Sequence, residues 1–327
     1  MLSKLSIKQK LILIMLIPLI VVILLAAKLA IDSFSTSKNL RALDRVVILS
    51  TKIGALVHEA QKERGMTAGF LGSSGEKFKV ELPAQRLNVD EKLKELNTLL
   101  NTFNKNEYSS EFLENLNLSL KKIEDLNNTR NGVNSLSLNA GIAIGYYTDL
   151  NKLLLNVIGS ITKLSNSATV SQQLVSYMNF LLSKERAGVE RAVGTNTFAK
   201  DSFGEGMKAK FYTLIAEQNA YMDSFSKVSD LKTVEFYKTN LKGDSVDEVE
   251  RIRKIALYSD IETNFKIDAN HWFKEITQKI NLLKKVEDYI SQTLIITIND
   301  EMDNSNQNMI IFGLLSILGI ALTMILA

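Results

Sequence analysis

The 327-residue chain sets Lys+Arg 39 against Asp+Glu 36, and a formal net charge of +3 gives no support to a nucleic-acid footprint. It has no cysteine, which excludes a disulfide frame and any thiolate metal site. Only 2 prolines and 16 glycines occur, and that scarcity of breakers argues for long helices rather than many short strands.

A ten-residue tail (1–10) carrying Lys4, Lys8 and Lys10 precedes the uncharged run "LILIMLIPLIVVILLAA" at 11–27. With 29–31 beyond Lys28, the run reaches the roughly 20 residues that a membrane span needs, so a transmembrane helix is predicted over 11–31 with the tail in the cytoplasm. Helical periodicity continues into 32–71 and breaks at "GSSGEKFKVELPA". Near the end of that helix Val57, Ala60, Arg64, Ala68 and Leu71 form one stripe, with Arg64 at its centre. An arginine keeps its proton at ordinary pH, so burying it there requires an anion beside it.

Further helical blocks follow at 89–103, 110–127, 134–164, 167–198 and 204–227. In the fourth, Tyr177, Leu181, Lys184, Gly188, Arg191, Thr195 and Phe198 share a face that places cations between apolar residues; Gly188 would let a helix or a small ligand come close. Arg186 lies on another stripe, with Leu182, Val189 and Val193. Asp244 or Ser245 is placed to cap a helix, and Trp272, Ile276, Leu283, Val286 and Ile290 recur along the last long helix. "MIIFGLLSILGIALTMILA" at 309–327 reads as a second span that stops without a basic flank, as though a cytoplasmic part had been removed; 32–308 is then external. The expected fold is an all-α bundle whose first and last helices enter the membrane.

"QKERGMTAGF" and "SKERAGVERAV" both carry Lys-Glu-Arg, an internal echo at 186 − 64 = 122 residues. Arg64, Arg186 and Arg191 either pair internally with Glu59, Glu63, Glu185 or Glu190, or converge on a small anion. His58 and His271 lack the spacing of a zinc site, "GSSGE" is not a nucleophile elbow, and "GEGMKAK" is not a phosphate loop. No catalytic, metal or cofactor constellation is read.

"VHEAQKERGMTAGFL", "NFLLSKERAGVERAVGTNTF" and "ANHWFKEITQKINLLKKVEDYI" resemble three segments of the nitrate- and nitrite-sensing domain of bacterial chemoreceptors, sensor kinases and a class of antiterminator. The resemblance implies two four-helix bundles stacked end to end over 32–308, and nitrate or nitrite held by Arg64 and Arg191, with Arg186 in reserve and Lys184 and Gly188 nearby. It further implies a non-enzymatic, chemoreceptor-type sensor in the inner membrane, passing twice, with a periplasmic domain and a homodimeric state. Partners would be the anion and the membrane, no nucleic acid, and cytoplasmic signalling proteins only where a C-terminal output region exists. A ligand-free protein-interaction module of a pilus-linked or truncated receptor is the alternative.

Overall fold

The computed structural model describes residues 7–104, 108–161, 165, 167–258 and 263–326, so the predicted break at 104–110 and the end of the block at 162–164 lie partly outside the described residues. Its helices are α1 (Ile7–Gly72), α2 (Glu81–Leu100), α3 (Ser110–Glu124), α4 (Leu126–Asn134), α5 (Ala140–Ile161), α6 (Ala168–Lys200), α7 (Met207–Val228), α8 (Leu231–Asn240), α9 (Asp244–Tyr258) and α10 (Ala269–Leu326). Among the described residues there is no strand, only an isolated bridge between Ser202 and Thr263. The all-α expectation is met.

Helix boundaries move for local reasons. α2 begins at Glu81, ahead of the expected 89, because Pro83 sits in its first turn, where backbone N–H groups have no intrahelical acceptor to lose. The expected block from 134 starts instead at Ala140, since Leu136 takes a left-handed φ of 54° and separates α4 from α5. α8 was not foreseen, although Asp230 caps it by accepting from the Thr233 backbone N–H.

The chain divides into two compact units, Met1–Arg45 with Ile295–Ala327, and Val46–Leu294. In the first, the ends of α1 and α10 pair through Ser37 Oγ donating to Asn306 Oδ1 (2.6 Å) and Ser305 Oγ donating to Ser33 O (2.9 Å). Here α1 and α10 are long and apolar enough to cross a membrane, and only 6% of the most apolar window of each is buried. A helix apolar all round and unburied is not the core helix of a globular domain.

The second unit holds two groups of four helical positions, one position in each being filled by two successive helices, α3 with α4 and α8 with α9, as Tyr146 of α5 donates to Lys122 O of α3 and Tyr237 of α8 packs on Phe180 and Phe225. α1 packs with α2, α4 and α5, as Lys52 reaches Glu95, Arg130 reaches Glu63 and Tyr147 reaches Glu63. α6 packs with α7, α9 and α10 through Ser183 to Gln218, Arg253 to Glu190, and Trp272, which is fully buried beside Phe198 and Phe211. The two groups meet along α1 and α6, which run alongside each other. Gly54 lies by Tyr177, Gly65 by Arg191, Gly69 by Thr195 and Gly72 by Asn196.

Candidate functional site

The two groups repeat one design. On α1, Glu63 is fully buried and clasped by Arg130, whose Nε and Nη2 donate to Oε1 and Oε2 at 2.8 Å each. On α6, Glu190 is equally buried and clasped by Arg253 at 2.6 and 2.5 Å. Burial pushes Glu190 up, but the charge and hydrogen bonds of Arg253 outweigh it and hold the carboxyl below its usual range. The residue after each glutamate is an arginine, Arg64 or Arg191, and each Nη1 donates to a threonine of its own group, Thr148 at 3.0 Å and Thr277 at 2.9 Å. The structural register of the echo is therefore 190 − 63 = 127 and 191 − 64 = 127, and not the 122 that matches the Lys-Glu-Arg strings.

Because α1 and α6 are neighbours, the repeat aims both arginines into the space between the groups. Both are fully buried. Their surroundings differ. Arg64 Nη1 donates to Glu185 Oε1 at 2.6 Å, and Gln61 Nε2 donates to the other oxygen of Glu185 at 2.6 Å. Arg191 has no carboxylate within ion-pair distance among the described residues. It has Thr277 and the face of Phe273, 5.2 Å from its Cζ to the ring centre. Burial, then the charge of Arg64, push its guanidinium down to about 9, against weaker pulls from Glu185 and Glu59. A guanidinium keeps its proton at neutral pH, so the cost of this burial falls on the fold.

The donors left over are specific. Arg191 Nε and Nη2 and Arg64 Nε are buried without a hydrogen-bond partner. Nε and Nη2 form one edge of a planar guanidinium, and two parallel N–H groups match two oxygens of a planar oxyanion. Close approach is permitted by glycines: a Cβ at Gly65 would lie 3.2 Å from Arg191 Nε, and one at Gly188 would lie 2.8 Å from Arg64 Nη2. His58 is also buried, with Nδ1 unpartnered, and burial with the nearby charges of Lys184 and Lys62 drives its pKa far below the ordinary value.

Of the five residues singled out from sequence, the structure brings Arg64, Arg191 and Gly188 together. Lys184 is buried on the same face of α6, but its ammonium is hydrogen-bonded to Glu287 of α10. Arg186 points away, half-buried, and pairs with Glu217 of α7 at 2.8 Å. Sequence reasoning missed Thr148, Thr277, His58 and Asn151 as neighbours, and missed the clasping Arg130 and Arg253. The Glu-Arg dipeptides at 63–64 and 190–191 were the available cue to the repeat. Among the described residues, no group of three or more acidic or histidine side chains is placed to hold a metal ion.

Fold and site together define an all-α domain in which two fully buried arginines on neighbouring helices keep guanidinium N–H groups without a hydrogen-bond partner. The family described as nitrate and nitrite sensing matches residues 55–295, and the chain belongs to that family. It is 25% identical over 253 residues to a nitrate regulatory protein of Klebsiella oxytoca, covering 77% of this chain and 63% of that one, so the chain spans less than two thirds of that relative's length. The solved structure of the NasR transcription antiterminator has the same fold, with a TM-score of 0.74 at 22% identity over 88% of this chain and 83% of that chain.

These relatives correct two expectations. The reading of the chain's function as that of a chemoreceptor is overturned, since the similar proteins are a nitrate regulator and an antiterminator. The exclusion of nucleic acid as a partner falls with it: a near-neutral charge describes the sensing helices and says nothing of what a transcriptional regulator acts on elsewhere. The relatives are silent on chemotaxis and on a homodimer.

Proposed function

We propose that residues 46–294 are the sensing domain of a nitrate- or nitrite-responsive regulator, and that the anion is held by the Nε and Nη2 edge of Arg191 with Arg64 Nε completing the site. The observation that carries this reading is the buried, unpaired edge of Arg191. A bound monoanion offsets the repulsion between two buried guanidiniums and favours tighter packing of α1 against α6, so the bundle has two states that ligand redistributes. Affinity need not be high, because the response depends on the difference in affinity between the states. Thermal unfolding of the full chain against nitrate, nitrite, formate and chloride tests it, since a ligand that binds only folded protein raises the melting temperature. Nitrate or nitrite should stabilise the wild type and not Arg191→Ala. An equal shift in both proteins would refute the site.

Placement is a separate matter. The exposed apolar faces of α1 and α10, with Leu24 and Ile317 each 64% exposed, support two crossings of the inner membrane with 32–308 on the periplasmic side. Reporter fusions at Glu114 and at the C-terminus should then report opposite compartments; a cytoplasmic report from Glu114 refutes this placement.

A further inference from the structure

The other buried cations of the sensing domain each have a carboxylate among the described residues. Arg130 has Glu63 and Asp90, Arg253 has Glu190 and Glu250, Lys279 has Glu250, and Lys184 has Glu287. At the margin of the site Lys62 pairs with Glu59, and Lys284 with Glu287 and Asp288. Arg64 has Glu185. Among the described residues only Arg191 lacks such a partner, so the space between the two groups holds one surplus positive charge rather than the two that a pair of arginines suggests.

Glu185 is fixed in that role. Its oxygens accept from Arg64 Nη1 and Gln61 Nε2 at 2.6 Å each, with Arg64 Nη2 and Asn151 Nδ2 at 3.4 Å, and all four residues are buried. Displacing it would strand several donors. The repeat explains why there is no second such carboxylate. The register of 127 that relates Arg64 to Arg191 relates Glu185 to His58, since 185 − 58 = 127. His58 lies close enough to Arg191 for its pKa to be lowered by that charge as well as by burial and the lysines. At the position where α6 supplies an anion, α1 supplies a neutral imidazole.

We propose that Glu185 is a permanent counter-ion that leaves the Arg64–Arg191 site with a single surplus charge, and that it thereby selects monovalent over divalent oxyanions. The proposal rests on the reading of these arginines as the anion site. A monoanion neutralises the site; a dianion would leave an uncompensated charge in a water-poor interior, which is strongly unfavourable. Glutamine at position 185 keeps nearly the same shape and raises the surplus to two. A carboxylate at position 58 lowers it to zero.

The test is calorimetric titration of the full-length protein in detergent with nitrate and with sulfate at constant ionic strength. Wild type should bind nitrate at least about tenfold more tightly than sulfate, and in Glu185→Gln that preference should fall by about tenfold or reverse, a difference on the scale of one decade in Kd. His58→Glu should bind neither anion while melting no lower than wild type. A nitrate-to-sulfate ratio unchanged in Glu185→Gln would overturn the proposal. Where that variant is too unstable to titrate, Glu185→Gln combined with His58→Glu restores a single surplus charge with both arginines intact and should recover nitrate preference; failure to do so counts against the proposal equally. If wild type binds no nitrate, the anion-site reading fails by itself. The counter-ion is then judged on melting temperature: Glu185→Gln should be raised by sulfate more than by nitrate while wild type is not, and equal responses overturn it.

Discussion

The α1 and α6 halves of the sensing domain share a buried Glu-Arg pair and differ in what the arginine meets. On α1 the arginine is answered from within the chain, by Glu185; on α6 it is not. A duplicated scaffold thus separates two tasks. The glutamates and their clasping arginines hold each group together, and the second arginine of only one half is left without a carboxylate among the described residues, which is where the proposed anion would sit. A buried charge with a partner contributes to a unique packing, whereas one without a partner is a cost that persists only where function uses it.

The largest effects should come from breaking the internal pairs. Arg253→Ala strands fully buried Glu190, with Gln218 its remaining donor, and should cost about 3–5 kcal/mol in chemical denaturation. Arg64→Ala strands Glu185 and should fall in the same range of about 3–5 kcal/mol. Loss of stability in neither would refute the pairing.

Next comes the contrast between the two arginines. The sequence treats Arg64 and Arg191 alike, but the structure divides them. Arg191→Ala removes an unpaired buried charge and should leave the ligand-free domain as stable as wild type or up to roughly 1–2 kcal/mol more so, in the direction expected for an uncompensated ion. Its nitrate response should vanish. Arg191→Lys keeps charge and loses the planar edge, so titration should show markedly weaker binding.

A smaller effect concerns pH. The pKa of His58 in the fold lies far below the ordinary 6.5, so the unfolded chain takes up a proton first as pH falls and stability is lost below about 6.5. Glu190 and Glu287, held below the ordinary 4.5, add their losses only beneath that value. His58→Gln should flatten the stability profile between these limits; an unchanged slope there would remove His58 from the account. The smallest effect belongs to Arg186→Ala, whose pair with Glu217 is 29% and 42% exposed and should be worth about 0–1 kcal/mol with no change in nitrate response.

Periodicity alone placed Arg64 on an apolar stripe and put Lys184, Gly188, Arg191, Thr195 and Phe198 on one buried face, because a helix fixes which residues align whatever it packs against. The uncharged runs at 11–31 and 309–327, read as spans, fall on the two helices whose most apolar windows are only 6% buried. The pairing of charges lay beyond periodicity. Arg64 and Glu185 are 121 positions apart, and several glutamates were equally plausible partners until the flank-to-flank contact of α1 and α6 chose one. The register of the repeat was likewise settled by tertiary structure. Lys-Glu-Arg matches best by letters at 122, but at that offset Arg64 corresponds to Arg186, which faces Glu217 on the outside. Chain order determined which faces are apolar; only the packing of one repeat against the other, acting through short-range ion pairs across more than a hundred residues, decided that one buried arginine is answered and its counterpart is not.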